Sequence, residues 1–548
     1  MMAETLVGAT AAVASSGLAL WPVAIPLGAA AITLLLRRRP ALQRGVMEAA
    51  VLLMLTASVW LLAHVAPGRV AAMAFGGWGA PFGVTFVADR LGAALTVVTG
   101  LVALAVTIYA RAEIRARRRR ADFDPIFLAM LASVNGAFLT GDIFNLYVWF
   151  ELMLVAAMGL VTIDRRPAQI DGAIRYAAMG MLGATFILIG IGLLYGATGT
   201  LDMASISAAL AGRGPSVTLT AAAYLLFAGF ALKAGLFPFF FWLPASYHTA
   251  PIAASAALAG LLTKVGLYAC LRVFVVVFHG IGQPTVPGLS VLFAIVAAAT
   301  MVLCVLAAIA QIDLRRLLAF HIICQVAYMM LGLALLSLLG IAAAIFYMWH
   351  SMLVQAGLFL GAGAVGRATG GYDLRRAGGL MRERPLTAAL FATLALSLSG
   401  IPPLSGFWAK FLVIDAAFRG GAMWLGITAL IVGLLTLYSM SKIWTDAFWR
   451  SPPRPGKLTR QVPPAMAGAV ALLAACTLGI GLAIGPVSSF ARAAAVQMLP
   501  PATAAQGAEQ GTQQGTQPAA VERRRQPAAM QAAAVDGIPQ SATAGRAP

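Results

Sequence analysis

Runs of about 20 apolar residues, separated by short polar or basic links, recur from Leu18 to Pro486. Each run is long enough to cross about 30 Å of hydrocarbon as a helix. The runs are continuous, without the alternation of lipid-facing strands, which excludes a transmembrane β-barrel. They predict about fourteen spans, centred on 18–36, 46–65, 91–109, 125–140, 143–162, 174–196, 218–240, 252–275, 286–310, 316–336, 339–364, 386–416, 421–446 and 464–487. The expected fold is an all-α polytopic membrane protein. Two spans are interrupted: the seventh reads ALKAGLFPFFFWLP, with Gly235 and Pro238, and the twelfth LSLSGIPPLSGFWAKF, with Pro402 and Pro403. Proline removes a backbone donor and breaks the helical ladder, and unwound backbone at membrane depth is tolerated only where protein or a watery cavity covers it. The two stretches echo each other five spans apart. Paired broken helices at matching places in two halves point to an inverted-repeat transporter; a simple proline kink in each is the alternative.

The links alternate in charge. Odd-numbered spans are followed by Arg37–Arg39 with Arg44, RAEIRARRRR (111–120), Arg165–Arg166, Arg315–Arg316, and the loops Arg367–Arg384 and Arg450–Arg460. After even-numbered spans there is little: Arg69 and Arg90, Arg213, Arg419, and no Lys or Arg between Val276 and Val286. The positive-inside rule then places the odd-to-even links in the cytoplasm and both termini outside. The neutral loop 241–251 carries no weight in this, and Arg523–Arg525 near the C-terminus runs against it. The first apolar run lacks a basic leader and is followed by RRRP, as in a retained helix. From about Pro500 the chain is rich in Ala, Gln, Gly and Pro without an apolar period, and reads as disordered.

Composition agrees: 61% of the 548 residues are hydrophobic and 10% charged, against roughly a quarter charged in soluble domains. The formal charge of +19 resides in short clusters between apolar runs, so nucleic acid is set aside as a partner. Cys270, Cys304, Cys324 and Cys476 lie within apolar runs without CxxC spacing, and the five histidines are scattered; neither a disulfide framework nor a metal site is indicated.

A few charges stand where lipid is expected. Glu151 lies in FNLYVWFELMLVAAMGL, Lys233 in FAGFALKAGLFP, Lys264 in LAGLLTKVGLYA and Lys410 in SGFWAKFLVI. His321 and His350 are also at membrane depth, and His248 stands at the mouth of span eight. An ionisable group at the bilayer centre costs about 2.5–3.5 kcal/mol on insertion scales and usually has a partner and a task. Snorkelling is the bland alternative for a lysine, but Lys264 is about 19 Å into its helix. One acid cannot neutralise three lysines pairwise. Desolvation and like charges then favour a lysine that takes up and releases a proton, with Glu151 as its switch.

These residues carry a resemblance. TGDIFNLYVWFELMLVAAMGL (140–160), LKAGLFPFFFWLPASYHTAPIAASAALAGLLTKVGLY (232–268), DLRRLLAFHIICQVAYMMLG (313–332) and GIPPLSGFWAKF (400–411) resemble the proton-conducting antiporter-type subunits of respiratory complex I, membrane-bound hydrogenases and Mrp-type cation/proton antiporters. GGWGAPFGVTFVADRLGAAL (76–95), LLYGATGTLDMASI (193–206) and MSKIWTDAFW (440–449) are similar to the D subunit of the Mrp type. The resemblance implies fourteen helices with an inverted five-helix repeat. The divisions expected are spans one to three (1–120), a first repeat (121–275), a second repeat (286–450), a last helix (460–490) and a disordered tail (496–548). It also implies that Glu151, Lys233, Lys264 and Lys410 form a chain of protonatable groups, with His248 and His350 relaying protons. WHSMLVQAGLFLGAG (349–363) departs from the family by placing Gln355 where many relatives have lysine. An amide carries no proton at physiological pH, so this leaves the link from Lys264 to Lys410 to His350 and water.

The function expected from the resemblance is that of a proton-translocating subunit in a multisubunit Na+ or K+/proton antiporter of the bacterial inner membrane, working with other membrane subunits. A proton-pumping subunit of a hydrogenase or NADH dehydrogenase is the second reading, and a scaffold with structural charges the third. P-loop and cysteine-cluster patterns are absent, so no cofactor and no redox chemistry are expected in the chain itself.

Overall fold

The computed structural model describes residues 13–15, 17–78, 83–114, 122–278, 286–451 and 460–499. The expected tail beyond 499, with Arg523–Arg525, and the basic links 115–121 and 452–459 lie outside the described residues. The apolar runs form α1 (Trp21–Leu35), α2 (Pro40–Val65), α3 (Arg90–Glu113), α4 (Phe123–Leu139), α5 (Ile143–Val161), α6 (Pro167–Thr198), α7 (Val217–Ala234) and α8 (Ile252–Leu271). They continue as α9 (Leu289–Ile309), α10 (Leu314–Ala334), α11 (Leu338–Thr369), α12 (Pro385–Ser399), α13 (Ser405–Arg419), α14 (Met423–Ile443), α15 (Pro464–Leu482) and α16 (Ile484–Gln497). Among the described residues, 12 helices are long and apolar enough to cross a membrane. The fourth and twelfth expected spans are the shorter apolar helices α4 and α12.

Both predicted interruptions are present. α7 stops at Ala234, Gly235 takes a left-handed φ of 74°, and helix resumes only over Trp242–Ser246. α12 stops at Ser399, Gly400 has φ 90°, and α13 begins at Ser405. Glycine supplies this conformation without a Cβ penalty, which ends a helix sharply.

Two features differ from the expected pattern. Val13–Ser15, Val70–Ala74 and Thr85–Ala88 form a three-stranded sheet in which the middle strand pairs parallel with the first and antiparallel with the third. Such short strands leave no periodic signal. The chain also continues past α15 into α16, to Gln497, beyond the expected end of the last helix.

The block from α4 to α8 and the block from α9 to α14 each hold five spans that match in order, with the broken span made of α7 and Trp242–Ser246 in the first and of α12 and α13 in the second. In each, an aspartate caps a helix and pairs with a second aspartate beyond a 32-residue helix: Asp142 with Asp202 around α6, and Asp313 with Asp373 around α11. The side chain of Asp142 accepts from the Asn145 N–H at 2.7 Å and that of Asp313 from Arg316 at 3.0 Å, satisfying orphan donors of the first turn. The last helix of each block ends in a six-residue π-helical turn, Arg272–Val277 and Trp444–Trp449. Five is odd, so a chain crossing at each element enters the second block from the opposite face.

α8 and α10 are buried along their whole apolar windows, whereas α2, α6 and α14 present most of theirs outward. The lysine-bearing helix α8 is thus at the centre. Gly266 of α8 lets the end of α7 approach: a Cβ there would come within 2.6 Å of the Ala234 backbone nitrogen.

Candidate functional site

Lys233 occupies the last turn of α7, where carbonyls without N–H partners favour a cation. Its Nζ lies 3.3 Å from Glu151 Oε1 on α5 and 5.7 Å from the centre of the Phe150 ring. The partners are unequal, the lysine side chain being 4% exposed and the glutamate 33%. Tyr176, stacked on Trp242 just past the break in span seven with ring centres 4.7 Å apart, lies within reach of the Glu151 charge.

Lys264, in the interior of α8, is completely buried. It donates to the Ala259 carbonyl at 2.7 Å and to the side-chain oxygen of Gln355 on α11. Gln355 in turn donates Nε2 to the His321 carbonyl on α10 at 3.4 Å. The residue that departs from the family pattern is therefore a direct partner of the central lysine. Both partners are neutral acceptors, able to hold an ammonium without fixing its charge as a carboxylate would.

Lys410 of α13 reaches back across the second break. Its Nζ donates to the Ser399 carbonyl at 2.9 Å, at the C-terminal end of α12, and sits 5.5 Å from the Tyr328 ring centre. His350 of α11 is within electrostatic reach of both Lys264 and Lys410. Its Nδ1 pairs with Ser405 Oγ at 2.8 Å; Ser405 pairs with Thr477 at 2.5 Å, and Thr477 with Ser397 at 2.7 Å. Gly406 makes room for this group, since a Cβ there would fall 1.7 Å from the Ser397 oxygen and 2.8 Å from His350 Cε1. His321 Nε2 pairs with Ser439 Oγ at 2.9 Å. His321 Nδ1, His350 Nε2, Thr263 Oγ1, Ser351 Oγ and Gln325 Nε2 are buried without a protein partner.

His248 stands apart, before α8, held by the Pro244 carbonyl 2.6 Å from its Nδ1. Burial pulls its pKa below the usual histidine range. The Pro244 hydrogen bond and Asp313 oppose that shift, and Arg315 and Arg316 add to it.

The structure thus brings Glu151 to Lys233 and Gln355 to Lys264, and holds His350 within electrostatic reach of both Lys264 and Lys410. No hydrogen bond joins Lys233 to Lys264 among the described residues. Sequence reasoning missed the hydroxyls of Ser397, Ser405, Ser439 and Thr477, which are unremarked small residues in apolar runs. It also missed a second buried ion pair, Asp89–Arg272, with Nη2 and Oδ2 2.7 Å apart. The signal available was an arginine at the very end of span eight and an aspartate just before span three.

Residues 140–436 match the family model described as NADH:quinone oxidoreductase/Mrp antiporter, transmembrane. The chain is 38% identical to the D subunit of the Na(+)/H(+) antiporter of Alkalihalophilus pseudofirmus over 495 residues, covering 89% of this chain and 98% of that protein. Among solved structures it is similar to a chain of the Mrp complex from Dietzia sp., with 32% identity and TM-score 0.82 over 89% of this chain and 98% of the other. It is also similar to a chain of respiratory complex I from Thermus thermophilus, with 27% identity and TM-score 0.68 over 85% and 98%.

Proposed function

The chain belongs to the NADH:quinone oxidoreductase/Mrp antiporter transmembrane family, and from that premise we propose that it is the proton-translocating D-type subunit of a multisubunit Na+ or K+/proton antiporter. The observation that carries this reading is the Glu151–Lys233 pair, 3.3 Å apart at the break in a membrane span, beside a central lysine held only by neutral acceptors. While Glu151 is near, the Lys233 ammonium is favoured; as it withdraws, the proton is released, at about 1.36 kcal/mol per pKa unit of changed interaction. Lys264 and Lys410 take the proton onward. His350, within electrostatic reach of both, relays it, with water entering where buried polar atoms lack protein partners. His248 helps to relay protons at the entry to span eight.

In this reading the protein is a multi-pass component of the bacterial inner membrane, with its arginine-rich links in the cytoplasm and both termini outside. It works only with the other membrane subunits of its complex. Its own chemistry is proton movement, and the ion exchanged for protons is Na+ or K+.

The test is ΔpH-driven Na+ and K+ exchange by the purified complex in vesicles. Exchange that requires this chain supports the reading. Absent exchange, with proton pumping that follows electron transfer by copurifying redox subunits, would transfer the chain to the redox-pump class.

The Lys264–Gln355 contact gives a sharper expectation. Gln355→Glu sets a carboxylate against the Lys264 ammonium and holds its proton, so exchange should fall about ten-fold or more for each pKa unit by which release is hindered. Gln355→Met, which lacks that charge, should be the milder change. The reverse order, measured as exchange rate per assembled complex, would refute the role given to the neutral acceptor.

A further inference from the structure

Lys264, Tyr268 and Arg272 follow one another at four-residue steps along α8 into its π-helical turn, and so share one face of a helix buried throughout. The last two are bonded in series. Arg272 Nε donates to the Tyr268 hydroxyl at 2.8 Å, and that hydroxyl donates to the Phe138 carbonyl of α4 at 2.8 Å. The guanidinium carbon lies 5.3 Å from the centre of the Tyr268 ring. Arg272 Nη2 meets Asp89 Oδ2 at 2.7 Å, with the two side chains 10% and 6% exposed. Asp89 Oδ1 caps α3 through the Gly92 N–H at 2.8 Å. The adjoining Arg90 donates to the carbonyls of Ala66, at the end of α2, and Ala493, on α16. The network therefore joins one end of α8 to several helices.

The opposite end of α8 is fastened differently. Glu113, the last residue of α3, accepts from the N–H groups of Ile252 and Ala253 at 2.9 and 2.8 Å. That end adjoins the arginine-rich link 111–120, so Arg272 belongs to the other face.

The internal repeat provides a control for the structural explanation. α14, the counterpart of α8, ends in the same π-helical turn, yet where α8 has Lys264, Tyr268 and Arg272 it has Thr436, Met440 and Trp444. A helix end of this shape forms without an ion pair. Burying two charges carries a desolvation penalty that often exceeds their attraction, so a pair kept at one of two equivalent places calls for another reason.

We propose that Asp89, Arg272 and Tyr268 are the outer gate of the proton path through Lys264. Arginine cannot give up its proton and so passes none onward, and while Asp89 holds it the ion pair and the Tyr268 hydroxyl close the Lys264 face of α8 on the outer side. Asp89 holds the guanidinium in place and Tyr268 fixes its orientation. Parting the pair lets water reach Lys264. This rests on the antiporter reading for its orientation, while the test below is independent of cation exchange.

The complex carrying Asp89→Asn is placed in vesicles without Na+ or K+, and decay of an imposed ΔpH is measured per assembled complex. Decay should be about five-fold faster than wild type or more, with Asp89→Glu restoring most of the seal, and Tyr268→Phe should raise decay about two-fold. A clamp with only a structural role would lower the amount of assembled complex and leave the leak per complex unchanged. Decay at the wild-type rate in both Asp89→Asn and Tyr268→Phe would overturn the gate. If Asp89→Asn does not assemble, Tyr268→Phe, which removes one hydroxyl and leaves the ion pair, decides by the same criterion. Failure of wild-type exchange, measured separately, would count against the antiporter reading and not against the gate.

Discussion

Glu151→Gln is expected to lower ΔpH-driven cation exchange about ten-fold or more while leaving the amount of assembled complex unchanged. The carboxylate is 3.3 Å from Lys233 Nζ. Two unit charges about 4 Å apart attract by about 4 kcal/mol at an effective dielectric of about 20. Partial exposure of Glu151, at 33%, screens some of this, so a ten-fold loss, about 1.4 kcal/mol, is the lower bound. Glutamine keeps the shape and a hydrogen-bond acceptor but removes the charge, which isolates the electrostatic switch from packing. Exchange at the wild-type rate in normally assembled Glu151→Gln complex would make the pair a structural contact and leave Lys233 without a controlling acid.

Lys264→Met should have the larger effect, about 100-fold, since it removes the central proton carrier. Folding should survive, because replacing a buried charge by an apolar chain of similar length is often neutral or stabilising. The residual cost is at Gln355, whose side-chain oxygen loses a donor, roughly 1–3 kcal/mol if nothing replaces it. Lys264→Arg separates a moving proton from a standing charge. A guanidinium stays protonated at any working pH, so the arginine variant should be as inactive as the methionine one. Exchange near the wild-type rate in Lys264→Arg, with both variants assembled, would show that the position supplies only positive charge.

Much of the candidate site was legible before any fold was known, because its residues offend against their surroundings. Glu151, Lys233, Lys264 and Lys410 are rare charges in apolar runs, and the breaks at Gly235 and Gly400 are marked by neighbouring prolines. Gln355 was legible only as a departure, and its meaning was not. Sequence reasoning treated it as a gap between lysines, whereas the fold uses it as an acceptor for Lys264 and a donor to His321. The hydroxyl chain from His350 through Ser405 and Thr477 to Ser397 was invisible. Serine and threonine are common in membrane helices, where they can bond their own backbone, so their presence marks no site.

The sequence by itself determined the class of the protein, the places of its apolar runs, the two interruptions and which charges stand inside those runs. Those follow from local facts: the length of an apolar run against the thickness of a bilayer, and the missing N–H of proline. Which charges meet was decided only by tertiary structure. Lys233 finds Glu151 from 82 residues away and Lys264 finds Gln355 from 91, while Arg272 finds Asp89 from another helix altogether. In a soluble protein the apolar stripe of a helix would have shown which face turns inward. In a membrane the lipid-facing and core-facing sides are equally apolar, so the direction of each side chain is set by how the helices pack.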